Sequence, residues 1–192
     1  MRLLRHESYT TDTHRVALRV QLACVNGAEE FVGSPACKEV TKELSSLDWN
    51  SIVERFEEEN RVRTKYGNKP HRGKQRFLNS WIANRLRESW QSNIVVMESG
   101  LAHLTLDFLK SDLGVVVSFK HGSSLGLDLI TLELALQRGL IKAAVVVTGM
   151  ADFLPQVTPR DAKTIVSFER TRDILSMVKS TISVPIVLVG LH

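Results

Sequence analysis

The stretch LDFLKSDLGVVVSFKHGSSLGLDLITLELAL, residues 106–136, holds the pattern on which the fold depends. Asp107 closes an apolar run, LAHLTLDFL, at 101–109. The polar turn Lys110-Ser111-Asp112 leads into GVVVSFK (114–120), whose β-branched valines favour a strand. Side chains two apart on a strand share a face, which puts Ser118 and Lys120 on the same side. After the turn His121-Gly122-Ser123-Ser124, the segment LGLDLITLELALQRG (125–139) reads as a helix. Leu125, Leu129, Leu132 and Leu136 form its apolar stripe. Glu133 sits at the edge of that stripe, where a carboxylate is costly unless something pairs it.

Working outward, IKAAVVVTGM (141–150) is a continuous apolar run, which implies a strand buried on both faces. ADFLPQVTPRDA (151–162) reads as a Pro-containing loop, TIVSFERTRDILSMVKS (164–180) as a helix and VPIVLVG (184–190) as a final strand. Strand, helix, strand, helix and strand in succession imply a sheet that is at least partly parallel, with helices on its faces. Upstream, HRVALRVQLAC (14–24) alternates like a half-buried strand, and SNIVVMES (92–99) reads as a short apolar one. Pro35 opens a helix running to Leu44, Asp48 is placed to cap WNSIVERFEEEN (49–60), and FLNSWIANRLRESW (77–90) is amphipathic. No linker marks a second unit, so residues 1–192 read as a single domain.

An Asp, a strand ending in x-Lys and a carboxylate close by resemble the core of the PD-(D/E)xK nucleases. The usual pattern has Glu two residues before the Lys, a place held here by Ser118. A variant group of type II restriction endonucleases, of the NgoMIV and EcoRII kind, has Ser-x-Lys with its glutamate moved to the next helix. Ser118-Phe119-Lys120 followed by Glu133 is similar to that arrangement. The DFLK segment (107–110) and the ending VPIVLVG also resemble the BglII/BstYI-like endonucleases, a likeness spanning residues 61–191. The resemblance implies an α/β fold, with a central mixed β-sheet flanked by helices. It implies a Mg²⁺-dependent type II restriction endonuclease that cuts double-stranded DNA at a specific, palindromic site. It further implies a homodimer and a companion DNA methyltransferase that protects host DNA.

That chemistry suits these residue types. Two carboxylates beside a phosphate repel it unless a divalent cation lies between them. Mg²⁺ takes oxygen ligands and keeps several waters, so Asp107, Glu133 and a backbone carbonyl form an adequate expected set. Lys120 is expected to orient the attacking water and offset developing charge, with Ser118 in a supporting part. Glu98 is a further acid that could fall near Asp107. Two other readings use the same residues. Gly122-Ser123-Ser124-Leu125-Gly126 matches G-x-S-x-G between a strand and a helix, which would make Ser124 an acyl-transfer nucleophile. The loss of the usual Glu at Ser118 also fits a nuclease fold that binds DNA without cutting it.

The 192 residues carry 25 Lys and Arg against 21 Asp and Glu, a formal charge of +4 that permits a polyanionic partner without requiring one. Distribution is more telling. RVRTKYGNKPHRGKQR (61–76) holds Arg61, Arg63, Lys65, Lys69, Arg72, Lys74 and Arg76 with no acid, and Gly67, Pro70 and Gly73 read as breaking regular structure. A basic loop of this kind suits phosphate contacts, with Arg160 and Lys163 as further candidates. Cys24 and Cys37 are too few for a disulfide framework and lack metal-ligand spacing, which suits a reducing cytoplasm. No apolar run is long enough to span a membrane.

Overall fold

The computed structural model describes residues 3–4, 18–100 and 102–192. The chain begins with β1 (Leu3–Leu4), β2 (Val20–Val25) and a helical group: α1 (Glu29–Val32), α2 (Pro35–Ser45), α3 (Trp49–Lys65) and α4 (Gln75–Leu86). An antiparallel meander follows, made of β3 (Gln91–Ser99), β4 (Ala102–Lys110) and β5 (Leu113–Val117). The remainder is α5 (Gly122–Gln137), β6 (Ala143–Gly149), α6 (Leu154–Val157), α7 (Phe168–Val178) and β7 (Ile186–Leu191).

One seven-stranded sheet results, in the order β1-β2-β7-β6-β5-β4-β3. β5, β6 and β7 are mutually parallel, and every residue in them is buried. Their near-continuous Val, Ile and Leu runs belong to strands covered on both faces. Val115, Val117, Val145, Val147, Val187 and Val189 pack beneath α2, α3 and α4, while Val116, Ala144, Val146, Ile186 and Leu188 pack beneath α5 and α7. The mixed sheet with helices on both faces is the architecture expected from the sequence.

Several boundaries differ, each for a local reason. The expected strand at 14–24 is observed from Val20 to Val25; residues 14–17 lie outside the described residues. Asp48 does cap α3, accepting from the Asn50 amide at 3.2 Å, but the helix runs on to Lys65. The first third of the basic segment is therefore helical, because no breaker precedes Gly67, whose φ of +73° ends the element. α7 starts at Phe168, after the Ser167 hydroxyl accepts from the Arg170 amide. The β4–β5 turn places Ser111 and Asp112 at φ 49° and 64°, as a tight two-residue hairpin connection requires.

Glu39 on α2 joins the helical layer to the meander. Its carboxylate accepts from Lys110 Nζ at 2.7 Å, Ser89 Oγ at 2.5 Å and Trp90 Nε1 at 3.0 Å. The Lys110 ammonium foremost, then the Ser89 hydroxyl, lower the Glu39 pKa against the opposing effect of burial. A lowered folded-state pKa stabilises the fold above the ordinary carboxylate range, and that stability is lost as the pH falls through the lowered value. Glu39→Gln is expected to lower stability by about 1 kcal/mol or less at pH 7, since both partners are partly exposed. Urea unfolding at a series of pH values should show the gap between the two proteins closing as the medium is acidified.

Candidate active site

β4 and β5 pair through Phe108↔Val115, Leu109↔Gly114 and Lys110↔Leu113, and the ladder stops there. Leu104 and Leu106 pack on the α5 side of the sheet, whereas Phe108 packs on the α2–α4 side. Residues two apart on a regular strand share a face, so β4 slips in phase at Asp107. The strands part, and the Val117 amide is bonded by the Asp107 carboxylate instead of by a β4 carbonyl, at 2.6 Å. Asp107 is thus fixed in a gap at the C-terminal end of β5, where open α/β sheets commonly hold their ligands.

Beyond Val117 the chain stays attached to β6 through Ser118 N to the Val147 carbonyl, 2.8 Å. Ser118 Oγ donates to Asp128 Oδ2 at 2.8 Å, and Lys120 Nζ donates to Asp128 Oδ1 at 2.9 Å. Ser118 and Lys120 meet the same carboxylate, although β5 ends at Val117 and neither lies on the strand expected over 114–120. Asp128 lies on α5 and is only 8% exposed, while the Lys120 side chain is 44% exposed. Burial pushes the Asp107 carboxyl above its ordinary pKa, and the Asp128 charge adds to that shift. The Val117 amide and the Lys120 ammonium pull the other way. Two acids, a lysine and a serine therefore form one electrostatically connected group.

Glu133, the acid expected to complete this group, is elsewhere. Its carboxylate accepts from Ser183 Oγ at 2.7 Å, Ser183 N at 2.8 Å and Val184 N at 3.1 Å. Burial opposes its charge, but the hydroxyl and two amides outweigh that and lower its pKa. Ser183 and Val184 precede β7, at the N-terminal end of the parallel strands, whereas Lys120 follows β5 at the C-terminal end. Five residues along α5 carry Glu133 about 7 Å further down the axis and well round the helix from Asp128. The acid facing Lys120 is Asp128, which the sequence reading passed over. Its signal was present: a carboxylate three residues after Leu125 and four before Leu132, on the inner side of the helix.

The remaining candidates divide. Glu98 is exposed and faces His103 across the β3–β4 hairpin, four residues up β4 from Asp107 and so about 13 Å away. Ser124 lies in the first turn of α5 with its amide bonded to the His121 carbonyl, and the His121 ring contacts Ser123 instead, at 3.2 Å. Among the described residues no nucleophile–base pair is seen at Ser124, and the elbow pattern falls on the β5–α5 junction. Arg63 and Lys65 lie on the last turn of α3, while Lys69, Arg72 and Lys74 lie on the loop that follows. Lys74 N donates to the Val157 carbonyl at 2.7 Å and Lys74 Nζ to the Gln156 carbonyl at 3.2 Å. The loop is thereby held against α6, just ahead of exposed Arg160 and Lys163. One residue further, Gln75 Nε2 donates to the Phe119 carbonyl, between Ser118 and Lys120. The sequence reading gave Gln75 no role.

The donor set fits a hard divalent cation. Asp107 and Asp128 supply carboxylate oxygens; the Val117 amide takes Asp107 Oδ2, and Ser118 and Lys120 each take one oxygen of Asp128, whose remaining lone pairs would serve a cation. Among the described residues no cluster of three or more His, Cys, Asp and Glu is arranged to hold a metal. A two-carboxylate site that leaves most positions to water and substrate is what Mg²⁺ accepts and zinc does not.

The family model for the restriction endonucleases BglII/BglIII matches residues 21–191. No curated protein sequence matches the chain. Among solved structures, that of restriction endonuclease BglII complexed with a DNA 16-mer superposes with a TM-score of 0.63 at 18% identity, covering 89% of this chain and 75% of that one. The fold is shared, and the slipped strand, the lysine after β5 and the paired acids sit within the matched span. The chain belongs to the BglII/BglIII restriction endonuclease family and is a type II site-specific deoxyribonuclease.

Proposed function

We propose that the protein hydrolyses phosphodiester bonds of double-stranded DNA at a palindromic site, as a Mg²⁺-dependent homodimer, through Asp107, Asp128, Lys120 and Ser118. The observation that carries this reading is the Asp128 carboxylate, buried yet shared between Ser118 and Lys120 beside Asp107. Asp107 and Asp128 would hold the cation, which when bound neutralises the scissile phosphate and acidifies its water. The chain's own groups supply orientation and charge. Ser118 fixes the Asp128 carboxylate, and Asp128 holds the Lys120 ammonium at the open side of the site. There Lys120 steadies the attacking water and offsets the negative charge that grows on the phosphate. Glu133 is left with a structural role, tying α5 to the start of β7.

Basic residues on two adjoining segments beside this site suit the backbone of a duplex. Arg63, Lys65, Lys69, Arg72 and Lys74 on one segment, with Arg160 and Lys163 on the adjoining one, offer phosphate contacts that position the duplex without reading its sequence. A two-fold dimer would read a palindrome with one set of side chains used twice. A site-specific nuclease of this kind requires a companion DNA methyltransferase to spare host DNA.

Five outcomes follow from this assignment. Phage DNA should give discrete fragments with Mg²⁺ and none with EDTA. Asp107→Ala and Asp128→Ala should each lose cleavage by several orders of magnitude while still binding DNA. Glu133→Ala should cut within a few fold of the parent; a cleavage-dead Glu133→Ala that melts normally would return the metal site to Glu133. Replacing Lys69, Arg72 and Lys74 by Ala should weaken binding to all sequences and flatten the log–log salt dependence by roughly one unit per lost contact. Light scattering should give twice the chain mass for the free protein and two chains plus one duplex with cognate DNA, and a monomer in both states would remove the palindrome.

A further inference from the structure

The basic loop and the catalytic segment meet at one side chain. Residues 66–74 are irregular, yet many of their polar groups are fastened. The Asn60 side chain brackets His71, donating to its carbonyl at 3.3 Å and accepting from its amide at 2.6 Å. Arg63 Nε donates to the Lys69 carbonyl at 2.8 Å, and His71 Nε2 contacts Glu59 at 2.6 Å. At the loop's end, Gly73 approaches α6 so closely that a Cβ there would lie 2.9 Å from the Val157 carbonyl. A loop held this way is fastened to α3 at one end and to α6 at the other.

Gln75 is the next residue after that loop and the first of α4. Its side-chain amide donates to the carbonyl of Phe119. That carbonyl belongs to the peptide joining Phe119 to Lys120, in the segment after β5 where no ladder bond sets the peptide plane. Ser118 is held from β6 and Phe119 is buried, so the orientation of the Phe119–Lys120 peptide is the freedom left in the segment. It decides where the Lys120 backbone starts, and a shift of 1 Å in a catalytic group is enough to cost about 10²-fold in rate.

We infer that Gln75 is a positioning residue for cleavage, which couples the seating of the basic loop on phosphates to the placement of Lys120. The inference rests on the reading of Asp107, Asp128 and Lys120 as the cleavage site. Gln75 does not touch the reacting atoms. It acts through the Phe119 carbonyl, so its loss should spare binding and slow the chemical step.

The test uses the full-length protein and an oligonucleotide duplex carrying the cleavage site mapped on phage DNA. Gln75→Ala and the near-isosteric Gln75→Glu, which replaces the donor with a carboxylate oxygen, should each lower the single-turnover rate at saturating enzyme by about 10- to 100-fold. Affinity for the same duplex, compared in the inert Asp107→Ala background, should stay within about threefold of the parent. The coupling is read from a cycle. Lys69→Ala with Arg72→Ala should lower the saturated rate in the parent and lower it no further in Gln75→Ala. A parental rate in Gln75→Ala, a loss of affinity as large as the loss of rate, or independent losses in the cycle would overturn the inference. Asp107→Ala is the separate control. If it still cuts, the site assignment itself falls, whatever Gln75 does.

Discussion

A carboxylate on the inner side of α5 fixes the geometry of the site. Asp128 is 8% exposed and would cost several kcal/mol if left alone among leucines. It is matched by two donors from one short segment, Ser118 Oγ and Lys120 Nζ, each on a different oxygen. That pairing fixes how far the chain advances between β5 and α5 and which way its lysine points. It also leaves the site polar at one end of an otherwise apolar sheet. Asp107 completes the arrangement by taking a backbone amide that regular pairing would have given to a neighbouring strand. Both acids are therefore held by structure before any ligand arrives.

The platform behind them is rigid because it is dry. β5, β6 and β7 are buried along their whole length, with helices on both faces. Parallel strands with all backbone groups paired leave irregularity to their ends, so the departures from ladder pairing gather at the C-terminal end of β5, where the proposed site lies. A slip at Asp107, a segment at 118–121 whose backbone is tied at its ends, by Ser118 to Val147 and by His121 to Ile165, and a helix start at Gly122 all lie at this end of the sheet. The same economy is seen at the basic segment. Helix α3 carries its first third, a loop pinned by Asn60 and Arg63 carries the rest, and Gln75 delivers it to the Phe119 carbonyl.

Much of this was legible in the residues. The continuous apolar run at 141–150 announced a strand buried on both faces, 184–190 announced a final strand, and the alternation of strands and helices announced a sheet at least partly parallel. The periodicity of 125–136 announced α5, because burial imposes a 3.6-residue repeat on the order of apolar residues. A local signal was enough wherever a local rule decides: a cap at Asp48, a turn at Ser111-Asp112, a stop at Gly67.

The choice between Asp128 and Glu133 was not of that kind. Both acids flank the same leucine stripe, on opposite sides of it, and either satisfies a pattern that asks only for a carboxylate on the next helix. What separates them is direction. α5 runs from the C-terminal end of the sheet back towards its N-terminal end, so an early residue stays beside Lys120 and a later one meets the chain entering β7. Gln75 was hidden for the same reason, since its partner lies 44 residues away. Neighbours along the chain dictate most of its strands and helices and which positions carry reactive groups, so these could be read from residue order. Which of those groups meet depends on helix direction and on the end of the sheet at which each loop emerges, and these are properties of the packed whole.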